Sequence, residues 1–220
     1  MKVTVVKDIL DANRRVSSVN KARFDEAKLF VVNLMSSPGA GKTALLEKTI
    51  ADLKGELSIG VIEGDIQTSL DADRIEAAGA TFTHQINTHG ACHIDGNMIA
   101  PVLDLMDMSV LDLLVVENVG NLVCPAEFDV GEDEKMVLFS VTEGDDKPKK
   151  YPLMFQESNL MVVNKIDLLP YLDSELETIH KNARDVHPGL TIFDVSCRNG
   201  DGLDAFYGWL KEKVAAKKAG

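Results

Sequence analysis

A chain of 220 residues is long enough to bury one sizeable core, with little room for a second full domain. Its 45% hydrophobic and 26% charged residues describe a globular chain rather than a disordered or fibrous one. A formal net charge of -12 speaks against unspecific attraction to nucleic acid or acidic lipid, because both need clustered positive charge to release counterions.

The opening Met1-Lys-Val-Thr-Val-Val-Lys-Asp8 has too short an apolar run for a signal peptide, and no later run approaches the roughly 18 apolar residues of a membrane span. The expectation is a cytoplasmic protein that engages neither membrane nor nucleic acid. Three cysteines, Cys92, Cys124 and Cys197, are an odd and sparse set, to be read as thiols or metal ligands rather than a disulfide framework.

In chain order, residues 6–27 carry a polar pattern punctuated by Ile9, Leu10, Val16, Val19 and Phe24, which predicts a helix ahead of the main fold. Residues 29–35 form a nearly continuous apolar run that ends in Ser36-Ser-Pro-Gly39, the pattern of a buried strand entering a loop, and a helix is predicted over 42–53. Further strands are predicted over 58–62, 81–86, 111–117, 136–141, 160–164 and 190–195, with helices over 69–78, 97–108, 174–186 and 203–216. This alternation argues for an α/β fold, a mostly parallel sheet flanked by helices. The organisation expected is a helical appendage over residues 1–27 and one α/β domain over 28–220. Within 125–150 the acidic piece Glu127 to Glu134 and the charged piece Gly144 to Lys150 break the rhythm and read as solvated loops.

Ser36-Ser-Pro-Gly-Ala-Gly-Lys-Thr43 reproduces the P-loop pattern with Ser36 in place of its first glycine. Pro38, Gly39, Ala40, Gly41, Lys42, Thr43 and Ala44 are the expected phosphate-binding residues. The glycines let successive amides turn toward phosphate oxygens, and the following helix adds its positive dipole end. Lys42 would reach the β- and γ-phosphates and Thr43 would give its hydroxyl to Mg²⁺. A P-loop alone does not choose between ATP and GTP.

Asn164-Lys-Ile-Asp167, at the end of a predicted strand, resembles the NKxD signature of GTPases. A carboxylate at Asp167 accepts from both N1–H and the exocyclic amine of guanine, whereas adenine presents an acceptor at N1 and leaves the charge unpaired. Lys165 can lay its stem along the base. Ser196 and Cys197 open a loop after the last strand that looks like the final base-contacting loop of GTPases.

Two acids, Asp65 and Glu117, stand at the C-terminal ends of predicted strands, where ligands gather in such sheets; each is a candidate for Mg²⁺, or else a helix cap or solvated carboxylate. Cys92, His93 and Cys124 fall in loops near strand ends. Thiolate with imidazole suits Zn²⁺ or Ni²⁺, and three ligands per chain leave a shell for a second copy, water or substrate to complete. Spacing alone leaves open the alternative of two buried cysteines and a solvated histidine.

The phosphate loop, Glu63-Gly-Asp65, Ala91-Cys-His-Ile-Asp95, Glu117-Asn-Val-Gly-Asn-Leu-Val-Cys-Pro125 and Asn164-Lys-Ile-Asp167 together closely resemble the HypB family, GTPases that deliver nickel during maturation of nickel-iron hydrogenase. The resemblance runs from about residue 29 to 210. It implies a P-loop NTPase of SIMIBI type with a three-layer fold. It further implies a GTP-dependent homodimer in which Cys92, His93 and Cys124 hold nickel or zinc at or near the subunit interface. The implied partners are other hydrogenase maturation proteins and the hydrogenase large-subunit precursor. Lys42, Thr43, Asp65 and Glu117 are the implied catalytic residues, the last three reading Mg²⁺ and the γ-phosphate. Many family members add an N-terminal cysteine motif or histidine-rich stretch, and this sequence has neither, which leaves the loop residues as the expected metal site. Cys124 lies seven residues past Glu117, so nucleotide state is expected to tune metal affinity. No arginine finger is evident, so slow intrinsic hydrolysis is expected. Rival readings are a urease-type nickel-delivery GTPase, whose Cys-Pro-His motif is here Cys124-Pro-Ala126, and a non-catalytic metal carrier with a structural nucleotide site.

Overall fold

The structure is a computed structural model that describes residues 2–65 and 70–220, with the side chains of residues 2–7, Asp65 and Leu70 outside that description. The chain runs α1 (Lys2–Glu26), β1 (Phe30–Ser36), α2 (Lys42–Leu53), β2 (Ile59–Asp65), α3 (Leu70–Ala78), β3 (Phe82–Asn87), α4 (Gly96–Leu103) and β4 (Leu113–Glu117). It continues through α5 (Cys124–Glu127), β5 (Glu134–Ser140), α6 (Lys147–Lys150), α7 (Pro152–Gln156), β6 (Leu160–Asn164), α8 (Leu176–Val186), β7 (Thr191–Asp194) and α9 (Leu203–Ala219).

The strands form one sheet in the order β3-β2-β4-β1-β5-β6-β7, parallel throughout. Such a sheet needs both faces covered, which is why β1, β4 and β6 are buried along their whole length. On one face Val32, Leu34, Val115 and Val162 pack against Leu45 and Ile50 of α2, Ile75 of α3 and Phe206 and Leu210 of α9. On the other, Val31, Leu114 and Val116 meet Phe24 of α1 and Ile99 and Val102 of α4, while Phe139 and Val163 meet Phe155 of α7 and Ile179 of α8. Val31 and Val32 point to opposite faces, as a strand period of two requires.

Three local features depart from the sequence reading. The helix expected over 97–108 ends at Leu103, because Asp104 caps it and Asp107 accepts from Ser109 N to open a separate turn, Met108–Val110. β2 runs on to Asp65, since β3 pairs with it as far as Asn87. The acidic stretch before β5 is not uniformly solvated: the Glu132 side chain is only 6% exposed, its Oε2 accepting from the amides of Val130 and Gly131 and its Oε1 from Asn33 Nδ2. Burial pushes that carboxyl above its ordinary range, against the pull of Lys135.

α1 is anchored partly by polar contacts. Asn13 accepts from Gly96 N and donates to the Asp129 carbonyl, and Asn20 donates to the carbonyls of Gly96 and Val130. Gly131, at φ 103°, lets the helix backbone come close; a Cβ there would sit 2.8 Å from Lys21 N and Ser17 O. Asn20→Ala leaves two buried carbonyls without this donor and is expected to lower stability by about 1–3 kcal/mol in urea unfolding. An unchanged midpoint would mean that apolar contacts alone hold α1.

Candidate nucleotide and metal site

The loop from β1 to α2 closes through its glycines. Gly39 and Gly41 have φ of 76° and 104°, conformations that only glycine adopts without strain. Lys42 Nζ donates to Ser36 Oγ at 3.1 Å, folding back over the loop as a phosphate-reaching lysine would. Burial holds its ammonium below the usual lysine range, with the charge of Glu117 opposing the shift most strongly.

The NKxD residues brace the same loop. Asn164 Nδ2 donates to the Ala40 carbonyl at 3.0 Å, and Lys165 Nζ to the Gly39 carbonyl at 2.7 Å. Asn164 Oδ1 in turn accepts from the backbone of Lys165 and of Cys197, tying in the loop after β7. Ser196 Oγ donates to Asp167 Oδ1 at 2.6 Å, which orients that carboxylate. Between them lies a cavity of about 300 Å³ lined by Gly41, Ala44, Asn164, Lys165, Asp167 and Cys197, together with Leu168 and Arg198, which the sequence reading did not single out. Its walls carry an apolar slot and one carboxylate, the chemistry a guanine base requires. Burial pushes the Cys197 thiol up to about 11, so it stands as a neutral wall group.

On the other side of the phosphate loop, Thr43 Oγ1 donates to Glu117 Oε1 at 3.1 Å. Glu117 is 4% exposed, and its Oε2 has no hydrogen-bond partner among the described residues. Burial raises its pKa to about 7 despite the nearby Lys42. A buried carboxylate oxygen without a donor, beside a threonine hydroxyl, is the oxygen donor set that Mg²⁺ takes. Glu63 on β2 is buried in register beside Glu117, and its charge also acts on Lys42. The backbone of Asp65 ends β2 at this edge, while its side chain lies outside the description. Gly120 presses on the loop, since a Cβ there would lie 3.0 Å from Pro38 Cα.

Next to these strand ends the metal-type residues converge. Cys92 Sγ lies 2.7 Å from Cys124 Sγ and 3.8 Å from His93 Nδ1, and one donor atom from each of the three falls within 4.8 Å of the others. The set combines two thiols and an imidazole, which suits Ni²⁺ or Zn²⁺. The His93 ring stacks on Phe128 at 3.9 Å between centroids, and burial lowers its pKa, keeping the neutral form that ligates metal. Burial and the Cys92 thiol raise the Cys124 pKa, as expected of two sulfurs in contact.

A larger cavity, about 450 Å³, opens beside α1 at Lys21, Asp129, Asp133 and Lys135. Those charges already pair with one another, Lys21 with Asp133 and Lys135 with Asp129, so the cavity offers no comparable chemistry.

Residues 30–194 match the family model described as the CobW/HypB/UreG nucleotide-binding domain. The hydrogenase maturation factor HypB of Rhizobium leguminosarum bv. viciae is 50% identical over 99% of this chain and 72% of its own length. The crystal structure of HypB from Helicobacter pylori in complex with nickel superposes with a TM-score of 0.88 at 37% identity, covering 93% of this chain and 96% of that one. HypB from Archaeoglobus fulgidus gives 0.87 at 34% identity, covering 93% and 99%. The chain therefore belongs to the HypB family of hydrogenase maturation factors, within the CobW/HypB/UreG nucleotide-binding group.

Proposed function

We propose that this chain is a GTP-hydrolysing metallochaperone that carries nickel and assists its insertion into nickel-iron hydrogenase, acting as a homodimer with other maturation proteins. One observation supports the reading: the phosphate-loop segment braced by Asn164 and the Cys92, His93 and Cys124 trio lie at the ends of strands of one parallel sheet, with Glu117 ending β4 and Cys124 on the segment that leaves it. A relative crystallised with nickel supports that metal as cargo.

In this reading the amides of residues 38–43 hold the phosphates, Asp167 selects guanine, and Lys165 and Asn164 keep loop and base site in fixed relation. Thr43, Asp65 and Glu117 would hold Mg²⁺, which, when bound, neutralises charge on the β- and γ-phosphates. Lys42 meets the phosphoryl group that is transferred. Cys92, His93 and Cys124 hold nickel, or zinc, through three donors, and leave the remaining coordination for a second copy or an acceptor. In this reading the helix Lys2–Glu26 belongs to a helical appendage of residues 1–27, ahead of a GTPase domain of 28–220.

Single-turnover hydrolysis of GTP should give slow release of phosphate by the unmodified chain and at least a roughly 100-fold slower release by Lys42→Ala. No phosphate from the unmodified chain would favour a metal carrier with a structural nucleotide site. Nickel analysis of the chain purified without an affinity tag should find metal that Cys124→Ala loses, while GDP binding stays as it was; equal nickel in both would exclude the trio.

Protonation of Glu117 competes with Mg²⁺. The carboxyl titrates near about 7 in the folded chain, so Mg²⁺-dependent GDP binding should strengthen as pH rises through that value. Glu117→Gln should flatten this dependence; an equally steep profile in the variant would assign the titration elsewhere. The sign for folding is opposite: ionising a carboxyl whose folded pKa is raised lowers stability as pH climbs from the ordinary carboxylate range toward about 7.

A further inference from the structure

We infer that Asn118 is a positioning residue that couples the nucleotide site to the metal loop, its side chain transmitting movement of the Glu117–Gly120 segment to Ile94 and so to Cys92 and His93. The inference rests on the metallochaperone reading above and names the route through which one site would sense the other.

Asn118 is wholly buried. Its Oδ1 accepts from Ile94 N at 2.8 Å and from its neighbour Val119 N at 3.0 Å, while its Nδ2 donates to Asn33 Oδ1 at 3.0 Å and lies 3.4 Å from the Ile94 carbonyl. Two backbone amides facing one side-chain atom fix which end is the oxygen. The backbone amide of Asn118 itself donates to the Leu34 carbonyl at 2.9 Å, two residues before the phosphate loop begins. One residue thus holds both strands and loop.

What lies on either side makes the contact consequential. Glu117 takes the Thr43 hydroxyl and Gly120 abuts Pro38, so both flanks of Asn118 touch the groups that would face Mg²⁺ and phosphate. Ile94 follows Cys92 and His93 directly in the chain, and it is pinned on its far side: a Cβ on Gly64 would fall 2.5 Å from Ile94 Cδ1 and 3.4 Å from Val119 Cγ2. Ile94 is therefore wedged between the strand end that carries Asp65 and the segment that carries Glu117. Any shift of the Glu117–Gly120 backbone must either drag Ile94 along or break a buried bond between an amide and an amide oxygen. Tightly packed interiors do not absorb such a shift by gradual deformation. Asn33 extends the link to Glu132, whose carboxylate holds the loop after α5, the element that begins with Cys124. The two halves of the metal trio are thereby tied to one buried polar chain.

The test measures the Ni²⁺ dissociation constant of the full chain by competition with a metal-indicator chelator, with GDP bound and with a non-hydrolysable GTP analogue bound. The unmodified chain should show a ratio between the two states in the range of about 5- to 150-fold. Asn118→Ala should bring that ratio close to one while it still binds GDP and one nickel with thiolate charge-transfer absorption. A purely structural role would weaken both states alike and leave the ratio standing, which overturns the inference. If Asn118→Ala does not fold, amide hydrogen exchange of Ile94 in the unmodified chain decides: protection that differs between the nucleotide states supports the coupling, and identical protection overturns it. A ratio of one in the unmodified chain overturns the coupling but leaves the metallochaperone reading intact, whereas failure of the unmodified chain to bind nickel removes that reading as well.

Discussion

The parallel register of the central strands is the constraint from which the site follows. Leu34 of β1 and Glu63 of β2 both stand opposite Glu117 of β4, and Ser140 of β5 stands opposite Asn164 of β6. Because all strands point the same way, the loops leaving β1, β2, β4 and β6 emerge at one edge. The phosphate loop, the Glu117 carboxylate, the Asn164 brace and the Cys124 loop meet there without any long connection. Reversal of one strand would send its loop to the opposite edge. The apolar burial on both faces, from Leu45 to Phe139, therefore supports function by holding direction as well as stability.

That edge is electrostatically incomplete by design of its chemistry. Lys42, Glu117 and Glu63 are held in or near the interior, and the Glu117 Oε2 lacks a donor among the described residues. An unsatisfied buried polar atom costs about 1–3 kcal/mol, more when charged. In the proposed reading phosphate and Mg²⁺ supply the missing opposite charges, and any ligand that binds only the folded chain stabilises it by mass action. The same logic applies to the thiols of Cys92 and Cys124, which touch one another and are relieved by a cation between them. Both halves of the site thus lower their own strain on binding, and Asn118 stands between them.

The sequence displayed the local motifs plainly. A strand running into Gly39-Ala-Gly41-Lys42 and another into Asn164-Lys165-Ile-Asp167 carry their geometry in adjacent residues, so the loop conformations and the base cavity could be expected from spacing. Cys92 and Cys124 are 32 positions apart, and their contact depends on how the loop after β3 reaches the loop after β4; family resemblance, not spacing, suggested it. Asn33 left no signal, and Asn118, though it stands in the Glu117–Pro125 segment that carries the resemblance, gave no hint of its partners. Each sits in or beside an apolar run, where a polar residue gives no hint of which distant amide it will meet. Asn13 and Asn20, which the sequence reading did not single out, hold α1 to the Gly96 and Val130 backbones. Glu132 reads in the sequence as a solvated acid because the amides it accepts from are those of its own neighbours in a tight turn.

The proposed function requires that this strand edge hold a guanine nucleotide. Calorimetric titration of the purified chain with GDP and with ADP, each with Mg²⁺, tests it directly. Asp167, oriented by Ser196, should favour GDP by at least about 100-fold, since adenine leaves the carboxylate unpaired. Comparable affinities, or a preference for ADP, would contradict the account.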